Sequence, residues 1–176
     1  MKEANLKFFL LGLLSGVLCI IPSLVDLSFV NKDFALNFLF YGPGFIFGIA
    51  ILLGVRKQRI SILRKILCVF VTGLAYVAAV YAYYISLLLS GFIGGAIAGT
   101  SLKILNANIT IKYIIVGSVL SSLLAMIAGT TGGEWFKIPN TQILFPLWQS
   151  VMALYFGWLL NGVNKVKLET KNYGRV

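Results

Sequence analysis

The stretch Ile66–Leu102, ILCVFVTGLAYVAAVYAYYISLLLSGFIGGAIAGTSL, runs for 37 residues without a charged side chain. As one helix it would be about 55 Å long, against a bilayer hydrocarbon core of about 30 Å. The chain must therefore turn inside it. No proline marks the turn, but Tyr81, Tyr83 and Tyr84 cluster near the middle, and tyrosine favours the membrane–water interface. This predicts a tight turn near Ala82–Ile85, between membrane spans at about 62–81 and 85–102.

Immediately upstream, Arg56-Lys57-Gln58-Arg59-Ile60-Ser61-Ile62-Leu63-Arg64-Lys65 holds five of the 15 Lys and Arg residues. A basic loop between spans lies in water and is retained on the cytoplasmic face. Working outward, four more apolar runs read as spans at about 6–25, 35–55, 111–129 and 143–160. The first is not followed by an Ala-x-Ala pattern, so it reads as a span rather than a cleaved signal peptide. The second contains Tyr41-Gly42-Pro43-Gly44; a break there would leave Gly44–Val55 covering only about 18 Å, so a kinked full span is expected. In the last, Pro146 falls in the first turn, where proline is tolerated.

Six spans place 13 of the 15 Lys and Arg on one side, leaving Lys32 and Lys137 with Asp26, Asp33 and Glu134 on the other. That is the partition expected of a protein with both termini cytoplasmic. The expected fold is thus an all-α polytopic bundle of six transmembrane helices, one domain over residues 1–176, in the plasma membrane and of the bacterial inner-membrane kind.

Composition agrees. The chain is 59% hydrophobic and 11% charged, with a mean hydropathy of +0.93, where soluble domains carry roughly 25% charged residues. The net charge of +10 sits in short loops rather than on a basic face with interleaved aromatics, so anionic lipid at the cytoplasmic face is the expected partner and nucleic acid is not. Histidine is absent, which excludes His-ligated haem, His-based zinc sites and Ser-His or Cys-His catalysis. Cys19 and Cys68 fall in separate runs at depths about 10 Å apart, beyond disulfide reach, and read as buried thiols. Every acid and base lies in a loop or at a span end, whereas intramembrane charges mark proton relays and embedded catalysts. Neither an enzyme nor a cofactor nor a metal is expected.

Two constellations remain. Gly91, Gly95 and Gly99 form a small-residue stripe, matched by Gly117, Ser121, Ala125 and Gly129 on the next span. Such stripes let backbones approach closely, within the chain, against a second copy or around a conduit. Gln149 and Trp148 come at a depth similar to Pro43, and Glu134 belongs to a loop on the same non-cytoplasmic side. These four are candidates for a shallow outward cavity; alternatively the aromatics form an interfacial belt and Gln149 bonds a neighbouring helix. Leu13-Leu14-Ser15-Gly16 recurs as Leu88-Leu89-Ser90-Gly91 on a span of opposite direction, as inverted transporter repeats do.

With Gly42-Pro43-Gly44 and Gly48 on a second helix, six spans, short length and cytoplasmic termini, the chain resembles in architecture the substrate-binding membrane subunits of energy-coupling-factor vitamin transporters. Those subunits dock through an Ala-x-x-x-Ala stripe on the first helix, and Gly12 and Gly16 stand at comparable spacing here. The resemblance implies a solute-binding subunit. The functional expectation is accordingly a non-catalytic protein that binds or transports a small solute, alone or with a partner subunit or second copy. The alternative is a structural or signalling component, of a stress or defence system for instance, that recruits a cytoplasmic partner through Arg56, Lys57, Arg59, Arg64 and Lys65.

Overall fold

The computed structural model describes residues 2–24, 32–55, 60–131 and 140–173, with side-chain environments for 3–21, 41–55, 60–127 and 143–161. Glu134, Arg56, Lys57 and Arg59 lie outside the described residues. Six helices and no strand occur among the described residues: α1 (Lys2–Leu24), α2 (Lys32–Gly54), α3 (Ile62–Tyr83), α4 (Leu87–Leu105), α5 (Ile111–Thr131) and α6 (Asn140–Tyr173). Four carry segments long and apolar enough to cross a membrane: Glu3–Ile21, Ile62–Tyr83, Leu87–Leu105 and Ile143–Asn161. In α2 and α5 the apolar stretches among the described residues are shorter, Tyr41–Gly54 and Ile111–Ile127.

The charge-free run turns at residues 84–86. Ser86 stops it: its hydroxyl accepts the Leu89 N–H at 3.0 Å, satisfying one of the orphan donors that open α4. Ser61 caps α3 in the same way, accepting from the Arg64 N–H. At the other end of α2, Lys7 on α1 donates to the Leu53 carbonyl at 2.7 Å, a cation on a helix C-terminus. Helix α2 continues through Pro43 as one element. Helix α6 begins at Asn140, so Pro146 stands inside it rather than in its first turn, and it extends past the apolar segment to Tyr173.

The helices close a ring in chain order, α1 against α2 and so on round to α6 against α1, with α6 also reaching across to α2 and α4. Neighbours run antiparallel. Gly44 faces Gly73 while Gly48 faces Val69, Gly91 faces Ser122 while Gly99 faces Ile114, and Phe8 near the start of α1 meets Gly54 and Gly157 near the ends of α2 and the apolar part of α6. One end of the bundle therefore gathers the starts of α1, α3 and α5.

All six charged side chains in the described set belong to that end: Glu3, Lys7, Arg64, Lys65, Lys103 and Lys112, each exposed. The large fully buried side chains, Phe8, Ile51, Leu102, Ile109, Met152 and Phe156, fill the same half. Round the outside, Leu10, Leu14, Ile66, Phe70, Ile115 and Leu123 are exposed, among many other large apolar residues. A soluble monomer does not present so continuous an apolar surface; these are the features of a membrane-embedded helical protein, whose outer faces meet lipid.

Candidate functional site

The half of the bundle away from the charged end is hollow. A cavity of about 370 Å³ lies there, and the described residues that wall it come from five helices, α2 to α6. Its volume is in the range of small-molecule sites, about 300–1,000 Å³. The opening is ringed by Tyr83, Tyr84 and Leu87 at the α3–α4 turn and by Leu144 near the start of α6.

The floor is aromatic. Phe47 and Trp148 pack with ring centroids 5.2 Å apart, and Phe156 packs tilted against Phe47 at 5.9 Å. Trp148 is fixed by its indole N–H, which donates to Ser121 Oγ on α5 at 2.6 Å. This satisfies the one polar group of a ring otherwise held by apolar contact. Phe47 and Phe156 are 2% and 1% exposed, so the floor separates the cavity from the packed half below.

Pro43, Trp148 and Gln149 all line this cavity. Gln149 is nevertheless almost wholly buried at 2% exposure, and its amide joins three helices. Its Oε1 accepts the Ser15 hydroxyl at 2.5 Å, and its Nε2 donates to the Pro43 carbonyl at 3.4 Å and to Cys19 Sγ at 3.5 Å. Gln149 thus serves as an interhelical latch within the wall. Replacing it with leucine should lower stability by about 1–2 kcal/mol and the melting temperature by roughly 3–6 °C, because interhelical hydrogen bonds in membranes are individually modest. Ser15 would keep its second bond, to the Gly12 carbonyl at 2.8 Å.

The glycine stripe packs within the chain. Gly91, Gly95 and Gly99 face Ser122, Ser121 with Ser118, and Ile114 on α5, and Gly91 also contributes to the cavity wall. Gly12 and Gly16 on α1 press on α6, where a methyl at Gly16 would stand 2.5 Å from Pro146 Cα. The two Leu-Leu-Ser-Gly copies have different surroundings: Ser15 is buried and bonded to Gln149, Ser90 lines the cavity. Arg64 and Lys65 are exposed at the charged end.

Tyr76, Ser90 and Ser121 are cavity residues that sequence reasoning missed. Serines inside apolar helices read as packing residues, since a hydroxyl can bond its own helix, as Ser118 does to the Ile114 carbonyl at 2.8 Å. Tyr76 carried a usable signal. It stands seven residues before the end of α3, about 10 Å below the interface where tyrosines belong. Among the described residues the hydroxyls of Tyr76 and Ser90 have no hydrogen-bond partner, and they are not sealed from the cavity. Compared with known protein families, with curated proteins and with solved structures, the chain matches none.

Proposed function

We propose that the chain is a non-catalytic membrane protein of six spans, with both termini cytoplasmic, that binds a small solute in the hollow outer half, alone or as the membrane subunit of a transporter. The observation that carries this reading is the five-walled cavity of about 370 Å³ opening at the end opposite the cations. Its described lining offers hydroxyls, one amide and aromatic rings, and neither carboxylate nor thiol for acid–base or nucleophilic work. Six spans are supported by the antiparallel ring, since α2 and α5, at 23 and 21 residues, are about 34 and 31 Å long and stand between helices apolar enough to cross. The gathering of exposed cations at one end supports the assignment of that end to the cytoplasm.

The test is thermal melting of the purified chain across a panel of small solutes. A solute present at about 100 times its Kd adds about 2.7 kcal/mol, enough to move the melting temperature by several degrees. At least one solute should do so, and the gain should vanish in Val80→Trp, which fills the cavity from α3. No stabilisation by any solute, or stabilisation that Val80→Trp leaves intact, rules the reading out.

A second reading rests on the same exposed cations: the basic end recruits anionic lipid or a soluble partner. A partner that co-purifies with the chain and is lost on changing Arg56, Lys57, Arg59, Arg64 and Lys65 to alanine would favour it, provided the membrane orientation of the variant is unchanged.

A further inference from the structure

Charge is missing from the described part of the cavity wall. None of the described residues that line it is ionised at neutral pH: the wall is built from Gly, Ala, Val, Leu, Pro, Phe and Trp, with Thr72, Tyr, Ser90, Ser121 and Gln149 as its polar members. Along the helix axes, Lys65 lies about 10 Å below Thr72 and Lys103 about 7 Å below Ala98, beyond the aromatic floor. A carboxylate, phosphate or ammonium brought into this space would lose its hydration without gaining a counter-charge.

The polar members are also unequally free. Thr72 donates its hydroxyl to the carbonyls of Cys68 and Val69 within its own helix, Gln149 is engaged by α1 and α2, and Ser121 accepts from Trp148. Four lining hydroxyls have no partner among the described residues: those of Tyr83 and Tyr84, exposed at the α3–α4 turn, and, deeper in, those of Tyr76 and Ser90 on neighbouring helices. Ser90 is three residues into α4, about 4 Å below the mouth, and Tyr76 about 10 Å below it on α3. Below both come Phe47, Trp148 and small apolar residues, with Thr72 and Ser121, whose hydroxyls are already engaged by the Cys68 and Val69 carbonyls and by Trp148.

Resting on the solute-binding reading, we infer that the ligand is an uncharged, largely apolar molecule that enters apolar end first, sets that end against Phe47 and Trp148, and hydrogen-bonds through one polar group to Tyr76 and Ser90. Such a compound exchanges lipid or water for a wall of matching polarity and gives a partner to the two inner hydroxyls that have none among the described residues. Small acids, phosphates and amines are disfavoured by the whole desolvation cost of their charge.

The experiment uses the full chain in lipid nanodiscs, with empty nanodiscs as the partition control, and three probes of one shape: 1-naphthylmethanol, 1-naphthoate and 1-naphthylmethylammonium. Tryptophan quenching reports occupancy beside Trp148. The neutral alcohol should bind saturably, one per chain, and at least about thirtyfold more tightly than either ion, because an unpaired buried charge is disfavoured by more than that. Ser90→Phe and Val80→Phe, which fill the space from different helices, should each abolish binding. Tyr76→Phe combined with Ser90→Ala should weaken the alcohol about three- to tenfold, the worth of an ordinary hydrogen bond, and leave 1-methylnaphthalene unaffected. If an ion binds as tightly as the alcohol and the filling variants abolish it, the cavity is a solute site but its ligand class is wrong. If no probe saturates, or the filling variants change nothing, solute binding in this cavity falls as well.

Discussion

Gly91→Ala is expected to destabilise the protein by about 2–3 kcal/mol and to lower its melting temperature by roughly 5–10 °C. The direction is the informative part. On an exposed helix the same change stabilises by about 0.5–1 kcal/mol, because alanine is the better helix former. At Gly91 the added methyl would stand 2.6 Å from Ser122 Cα, 2.7 Å from the Ser121 carbonyl oxygen and 2.9 Å from the Ser122 nitrogen. All three atoms belong to the backbone of α5 and cannot rotate away, so α4 and α5 must separate. The bond from Ser122 Oγ to the Leu88 carbonyl, 3.0 Å across the same contact, would stretch with them. Gly95→Ala should behave alike, with Ser121 Cβ at 2.6 Å and Ser118 Cα at 2.9 Å. Gly99→Ala should not: its nearest neighbour is Ile114 Cγ2 at 3.0 Å, a side-chain methyl that can shift, and a change within about 0.5 kcal/mol is expected. Thermal melts of the three variants in one detergent decide it. Equal losses at all three positions would mean that the stripe does not pack on α5 as described.

That gradient could not have been read from the sequence, where the three glycines differ in nothing but position. The spacing exposes a stripe; the distance to the neighbouring backbone follows from how two helices cross, and small residues permit close approach without fixing its depth. Other features were legible because one strong physical constraint governed them. The turn inside Ile66–Leu102 followed from bilayer thickness, and the chain turns at residues 84–86, within a residue or so of the tyrosine cluster. The start of α6 was less legible. Hydropathy reports where a helix enters the hydrocarbon, whereas Asn140–Gln142 are helical although polar, and so is the segment from Asn161 to Tyr173.

The candidate site divides along the same line. Pro43, Trp148 and Gln149 stand out from their runs by chemistry, and the fold brings them to one cavity. Phe47, Tyr76, Ser90 and Ser121 do not stand out, since an aromatic or a serine in an apolar helix has an ordinary packing explanation. Their place in the cavity depends on rotation about four different helix axes. Gln149 shows the converse: a residue conspicuous in sequence that does line the cavity but whose amide is taken up by Ser15, Cys19 and Pro43.

Phe8→Ala should weaken the union of α1 with the bundle. The Phe8 ring is 1% exposed and occupies a slot made by two glycines: a methyl at Gly54 would meet its Cδ1 at 2.6 Å and one at Gly157 its Cγ at 2.5 Å. In a soluble protein, truncating such a residue costs 3–5 kcal/mol, part transfer from water and part cavity. Here the transfer part largely disappears, because a phenylalanine released from the interface meets lipid as apolar as the core. The cavity part remains. At about 24 cal/mol per Å³ and a void of roughly 100 Å³, it comes to ~2 kcal/mol, or a melting temperature lower by roughly 4–8 °C. Benzene should recover part of the loss by filling the apolar void, an effect that lost α1 helicity or a disturbed Lys7–Leu53 contact would not produce. Since no described residue of α1 belongs to the cavity wall, the folded variant should bind 1-naphthylmethanol with wild-type affinity. A stability loss without benzene recovery would place the weakness outside the Gly54–Gly157 slot. A stability loss that carried ligand affinity down with it would mean that α1, through the Gln149 latch, holds the cavity in shape.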